Sequence, residues 1–448
     1  MDIFALIPQF GSVLGVIAAF VVALSVIVAV HEYGHYIVGR WCGIKAEVFS
    51  LGFGPVLFSR KDRHGTRWQL AALPLGGYVK FLGDADPASG KDSAAMAATP
   101  PERLRHTMHG APLWARTATV AAGPVFNFIL SIAIFAGVMM VQGKMAEPLQ
   151  VGALKPLPAE GVALQPGDTV LDIAGTQMPG YDERGAFDVF TTALPDQQLM
   201  EYRILRGGQE MTVPGPHPLP PIVTQLAPQS AAYGAGMEAG DVITAINGMP
   251  ISSFTQLKGA VESSGGATLR LDVWRDGGQE QLSLTPRRMD EPQEGGGFST
   301  QWRIGIAGGW AFEPGTERLG PLAALTDGTR QTYAVAASSV SGLYYMITGA
   351  ISSCNMSGPL GIAQTSGAMA SQGAESFIWF IAVLSTAVGL LNLFPIPVLD
   401  GGHLVFYAYE AVFRKPPSDA ALKVLMTIGL TLILSLMLFA LFNDIWCP

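Results

Sequence analysis

Four stretches of this chain are apolar over about the length a bilayer requires, and they restrict its fold more than any other feature. They run over roughly residues 11–38, 113–141, 376–395 (with an apolar continuation to 413) and 421–442. A helix needs roughly 20 mostly apolar residues to cross the hydrocarbon layer. Inside that layer every backbone polar group must be satisfied by the chain itself, which favours helices. The composition agrees: 14% of the 448 residues are charged and 49% are hydrophobic, whereas a soluble domain averages about 25% charged. The first stretch reads as a retained helix and not a signal peptide. The opening MDIFALIPQF carries Asp2 and no basic residue, and Arg40 and Lys45 follow the apolar run. Arg116, near the start of the second stretch, is expected to snorkel to the interface.

Basic residues set the orientation. Residues 40–112 hold ten Lys and Arg against six Asp and Glu, while 142–375 hold thirteen against twenty-three. Arg414, Lys415 and Lys423 cluster between the last two stretches. The loops at 40–112 and 414–423 are therefore expected inside, with both termini and the large acidic region outside. Net charge is −8, and no basic stripe is present, which argues against a nucleic-acid partner. Cys42, Cys354 and Cys447 are scattered, with no CxxC pair and no disulfide framework. This leaves Cys354 as a free thiol outside.

The inside loop opens with two runs rich in Val, Phe, Leu and Trp, 46–58 and 66–82, joined by RKDRHG. This predicts a β-hairpin or small sheet beside the membrane, followed over 84–112 by a linker and a short amphipathic piece. The outer region contains a repeat. LQPGDTVLDIAG (164–175) aligns with MEAGDVITAING (237–248), and RGGQE (206–210) aligns with DGGQE (276–280), at offsets of 73 and 70. Two copies of one β-rich domain of about 70 residues follow, spanning 147–217 and 218–289. Residues 290–375 are expected to be a linker, beginning with DEPQEGGGFS, and then a helix over 320–350 lying on the membrane surface.

At the inner end of the first apolar stretch stand His31, Glu32 and His35, in HEYGH. Charged and metal-binding groups at that depth are costly and mark function. On a helix, positions i and i+4 share a face, so both imidazoles can hold one zinc. Glu32 between them can act as general base toward water. A hydrolytic zinc usually takes a third protein ligand, and Asp400 in LLNLFPIPVLDGGH (390–403) is the candidate. Pro395 and Pro397 break the helix there, and irregular backbone at membrane depth is tolerated only where it is buried in protein or lines a wet cavity. Asn392 is a polar amide at the same break. His403 fits either a supporting role or an interfacial position.

HEYGH, SLGFGP (50–55), LPLGGYVKFLG (73–83), GPVFN (123–127), the tandem repeats, SGPLGIA (357–363) and LNLFPIPVLDGG (391–402) occur in that order. Together they resemble the site-2 protease family of intramembrane zinc metalloproteases, in particular its RseP-type bacterial members, over essentially the whole chain. The resemblance implies a polytopic α-helical protein of the bacterial inner membrane. It would have four transmembrane helices (1–39, 113–142, 376–413, 421–443), a membrane-associated β-hairpin loop (40–112), and periplasmic PDZ domains at 147–217 and 218–289. It implies zinc held by His31, His35 and Asp400, with Glu32 catalytic. Asn392, Pro395, Pro397 and Asn127 would contact substrate, although packing roles for Asn392, Gly123, Pro124 and Asn127 stay open. Substrates would be transmembrane segments of single-pass membrane proteins, such as an already-trimmed anti-sigma factor or remnant signal peptides. The PDZ pair would take a peptide or C-terminus. The hairpin edge could add an extended substrate strand. Two rival functions are a membrane-tethered PDZ adaptor without protease activity and a metal transporter. Retention of all four polar residues disfavours the first, and their clustering at one level disfavours the second.

Overall fold

A computed structural model describes residues 13–85, 96–97, 99–179, 186–228, 230–293 and 297–447. Parts of three sequence expectations lie outside them: the opening segment to residue 12, the linker at 86–95, and the glycines at 295–296. The chain divides into two compact units, one of residues 1–138, 321–344 and 356–448 and one of 139–320 and 345–355.

The first unit contains four helices long and apolar enough to cross a membrane: α1 (Val13–Trp41), α2 (Leu113–Gln142), α5 (Ala374–Asn392) and α7 (Asp419–Trp446). Between them stand α3 (Pro321–Ile347), α4 (Pro359–Ser371) and α6 (Asp400–Phe413). In lipid, water drives little helix association, so close packing and hydrogen bonds must do it. The helices are built accordingly. α1 buries a stripe of Gly15, Ala19, Ala23, Ile27 and His31, one residue per turn. α2 and α5 are joined by hydroxyls: Ser131 Oγ donates to Ala382 O at 2.8 Å and Ser385 Oγ to Asn127 O at 2.9 Å. α3 buries Ala324, Gly328 and Thr332, and a Cβ on Gly328 would lie 2.8 Å from Ile132 O of α2. The helix expected on the membrane surface thus packs directly against α2, one of the four helices long and apolar enough to span.

The SGPLG stretch has a specific task. Asp444 of α7 accepts the Gly358, Leu360 and Gly361 backbone N–H groups at 2.7, 3.0 and 3.0 Å. These are orphan donors of the α4 N-terminus. A Cβ at Gly358 or Gly361 would come within 2.6 or 2.7 Å of that carboxylate.

The loop between α1 and α2 holds a sheet made by two bent strands, β1 (Ala46–Lys61) and β2 (Arg67–Phe81). Val48 pairs with both Lys80 and Arg67, Ser50 with both Tyr78 and Gln69, and Lys61 with Arg67. Residues 46–51 therefore lie between 77–81 and 67–70, with 56–61 beyond the latter. One face carries Phe49 and Trp68, stacked at 4.3 Å between centroids, against Tyr36 of α1. At the turn, Asp62 accepts from Trp68 Nε1, the His64 and Thr66 backbone and Tyr36 OH, all within 3.1 Å. Burial raises this carboxyl, but the four donors outweigh it and hold it below its usual range. The sheet is thereby latched to the C-terminal end of α1, one residue past His35.

The second unit holds the repeat. β5–β3 pairing organises the first copy, with sheet order β4 (Thr176–Gln177), β3 (Thr169–Ile173), β5 (Leu199–Arg206), β6 (Gln209–Pro216). The second copy has the same order: β8 (Met249–Pro250), β7 (Val242–Ile246), β9 (Leu269–Arg275), β10 (Gly278–Leu284). Each Gly-Asp turn delivers an aspartate, 1% exposed, to an arginine fork: Asp168 to Arg206 (2.6 and 2.7 Å) and Asp241 to Arg275 (2.6 and 2.7 Å). Both hairpins close through two residues with positive φ, Gly207–Gly208 and Asp276–Gly277, as type I′ turns require. This register is one residue off the match of RGGQE with DGGQE, because the turn and not the glycine letters fixes hairpin pairing. Residues expected in a linker enter both cores. Ile304 belongs to the second, Ala311 and Phe312 to the first, and 306–307 and 312–314 pair with 225–226 and 151–154. Neither Cys354 nor Cys447 is an unpaired thiol, contrary to expectation, and Cys42 is buried and free.

Because the repeat rests on these forks, Arg275→Gln should strand a desolvated carboxylate. Losing one partner of a buried pair costs about 3 kcal/mol or more. Thermal unfolding of the full-length protein followed by circular dichroism should show an earlier transition for Arg275→Gln, and a smaller shift for Arg275→Lys.

Candidate metal centre

α1 brings His31 and His35 to one face, a single turn apart. Asp400 arrives from far along the chain because α5 stops at Asn392 and the backbone turns irregularly before α6 starts at Asp400. Small residues make that turn compact. A Cβ on Gly401 would lie 2.2 Å from Phe394 O, one on Gly402 2.4 Å from Ile396 O, and one on Gly429 of α7 1.9 Å from Pro397 O. Val398 sits at φ 98°, a costly conformation for a β-branched residue that persists only where the surroundings impose it. Pro395 and Pro397 shape this turn and are not among the residues lining the adjacent cavity, whereas Asn392 is. Asn392 also donates to Val388 O of its own helix at 3.0 Å.

The three ligand atoms converge. His31 Nε2 and His35 Nε2 are 3.2 Å apart, and Asp400 Oδ2 lies 3.2 Å from the first and 3.5 Å from the second. Donors at zinc bond lengths in a tetrahedron are roughly 3.3 Å apart, so the spacing fits one zinc ion. Asp400 Oδ2 is buried without a hydrogen-bond partner, which a cation in this position would remedy. Among the described residues this is the one group of three His, Cys, Asp or Glu side chains placed to hold a metal.

α2 supplies the support. His35 Nδ1 faces Thr119 O at 2.9 Å, so Nδ1–H donates and Nε2 keeps its lone pair for a metal. Asn127 is fully buried, with Nδ2 3.1 Å from His31 Nδ1 and Oδ1 unpartnered. Turning the carboxamide over would place its oxygen on Nδ1 and select the same tautomer for His31. The geometry therefore gives Asn127 a positioning place behind a ligand and no open face toward a substrate. Gly123 is the closest approach: a Cβ there would lie 2.3 Å from His35 Nε2 and 2.8 Å from His31 Cε1. Gly34 is similarly committed, with Ala122 O 2.6 Å from its would-be Cβ.

Glu32 lines the cavity beside the centre and accepts a hydrogen bond from the Val79 backbone N–H of β2. The cavity, about 720 Å³, is also lined by Tyr78, His403, Arg116 and Glu410. His403 Nδ1 is tied to Leu399 O at 3.1 Å. Arg116 does not snorkel. It grips Glu410 through both terminal nitrogens at 3.0 and 2.6 Å and lies over the Tyr407 ring, which fastens α6 to α2. Three participants carry no distinguishing signal in the sequence: Thr119, which acts through its carbonyl, Val79, which acts through its N–H, and Glu410, an ordinary helical residue.

Known proteins share this arrangement of motifs. The profile of Peptidase family M50 matches residues 19–436. A relative in Agrobacterium fabrum, which carries the name zinc metalloprotease, is 36% identical over 97% of both chains. The regulator of sigma-E protease RseP of Salmonella typhimurium is 33% identical over 97% of this chain and 99% of its own. The chain belongs to peptidase family M50 and is a zinc metalloprotease of the site-2 protease type.

Proposed function

We propose that this protease hydrolyses peptide bonds within transmembrane segments of single-pass membrane proteins. His31, His35 and Asp400 would hold the zinc and Glu32 would act as general base. The convergence of those three donors around a partnerless carboxylate oxygen, on helices apolar enough to span, carries the reading. Zinc here supplies a Lewis acid for the scissile carbonyl and makes water acidic enough to attack near neutral pH. Glu32 takes the proton of the attacking water and delivers it to the departing amine. The Val79 N–H holds the carboxylate in place for both transfers. Asn127 and Thr119 keep the two imidazoles in the metal-binding tautomer.

A helical substrate shields its own amides, so it must be drawn out before it can react. The strand at 77–81 suits this task. It lines the cavity, and its even-numbered side is occupied by β1, as Leu82 N donates to Lys45 O. Its odd-numbered side faces away from β1: Val79 N–H reaches Glu32 and Phe81 N–H reaches Asp84 Oδ2 at 2.9 Å. An extended substrate segment would add along this edge. The RseP relative is named for regulation of sigma-E, and by that kinship the substrate would be a membrane-bound anti-sigma factor, with remnant signal peptides a further class. The two repeats are read as periplasmic PDZ domains that bind a peptide or C-terminus. The protein would sit in the bacterial inner membrane, with its termini outside and its centre toward the cytoplasmic face.

Three variants separate the roles when purified protein is tested on a transmembrane peptide and assayed for zinc. Glu32→Gln should keep its zinc and lose cleavage by roughly 10²–10⁴-fold, the contribution of general base catalysis. Normal turnover would remove Glu32 from that role. Gly123→Ala should lose zinc together with activity, since the added methyl occupies the space of the imidazoles; full zinc occupancy would contradict the packing. Val79→Pro removes the N–H that holds Glu32 and blocks the strand edge together, so it should retain zinc and cleave poorly, and undiminished cleavage would defeat both roles of this strand.

A further inference from the structure

The face of the β1–β2 sheet turned away from Tyr36 is graded from charge to hydrocarbon. At one end, the cross-strand row Lys80–Val48–Arg67–Lys61 sets Arg67 beside Lys61, with Lys80 on the far side of Val48. The next row is polar, Tyr78–Ser50–Gln69–Ser59, and Gln69 donates to Ser50 Oγ and Tyr78 OH at 3.1 and 3.2 Å. Beyond it the sheet ends in exposed Phe53, Val56, Leu57 and Leu73, with Leu57 68% exposed. Strand rise puts Phe53 about 17 Å from the Val48 row, comparable to the depth of one leaflet.

The cationic row is costly as it stands. Lys61 and Arg67 are direct cross-strand partners, and like charges in that position repel. Among the described residues, Lys61, Arg67 and neighbouring Lys45 have no ion-pair partner, and Lys80 has only Glu47 at 4.0 Å. A hollow of about 510 Å³ opens between Lys45, Lys61, Arg67 and Lys80, with the single carboxylate of Glu47 also on its lining. We propose that this hollow binds the phosphate of an anionic phospholipid headgroup, with the apolar tip beside the lipid's acyl chains. The inference rests on the hairpin entering the inner leaflet, as in the proposed function. The source is a lipid and not free phosphate because cations and membrane-seeking side chains share one face at leaflet spacing.

The test uses the full-length protein in nanodiscs of phosphatidylcholine, with spin-labelled phosphatidylglycerol or phosphatidylcholine as probe. The native protein should immobilise phosphatidylglycerol preferentially. At roughly fivefold per basic residue at an anionic surface, Lys61→Gln, Arg67→Gln and Lys80→Gln combined should cut that preference by about tenfold or more without changing zinc content. Equal preference in both proteins overturns the proposal. So does loss of the preference on adding inorganic phosphate but not an equal ionic strength of chloride, which would assign the hollow to free phosphate. A fluorophore at Leu57→Cys separates the underlying premise. Quenching by brominated phosphatidylcholine shows the tip in lipid even if headgroup selectivity fails, and absence of quenching removes the premise itself.

Discussion

The contact between α1 and α2 is the constraint on which the centre depends. Gly34 and Gly123 let the two backbones approach until the imidazoles of His31 and His35 rest directly on α2. Only at that separation can Thr119 O reach one ring and the Asn127 carboxamide the other. The ligands are thus held from behind by main chain and by a buried amide, and rotation of either ring would break a hydrogen bond where water cannot replace it.

Asp400 is placed by an equally tight arrangement of a different kind. The turn between α5 and α6 is not a flexible loop. Its carbonyls are covered by Gly401 and Gly402 from one side and by Gly429 from the other, and Val398 is held in a strained conformation within it. The Arg116–Glu410 ion pair then fixes α6 against α2. A carboxylate carried on such a turn meets the imidazoles with little freedom left to lose, which is how preorganised metal sites are built. The Asp62 latch and the Val79 N–H extend the same economy to Glu32, so that the edge strand and this carboxylate are both tied to α1.

The four helices long and apolar enough to span, the break after the third, the β-hairpin and the duplicated domain were all legible in the sequence, because each follows from a local pattern: run length, a proline pair, alternating apolar residues, a repeated Gly-Asp. The His31, Glu32 and His35 grouping was legible for the same reason, as helix periodicity alone places them together. Arg116 was misjudged because its partner lies 294 positions away, and a charge near a helix end looks the same whether it meets water or Glu410. The repeat register slipped by one residue because the letters align glycines, whereas backbone pairing aligns turns. The 304–312 strands passed for linker because each is too short to show a period of its own.

The sequence by itself therefore determined which groups were available to hold a metal and which stretches are long and apolar enough to cross a membrane, since both depend on residue type at near-neighbour spacing. Only the tertiary structure decided that Asp400 meets the two imidazoles, that Asn127 stands behind His31, and that a bent hairpin brings its 77–81 edge beside Glu32. Those outcomes rest on main-chain carbonyls and N–H groups and on the missing side chains of glycines. Such features carry no distinctive letter until the chain has folded around them.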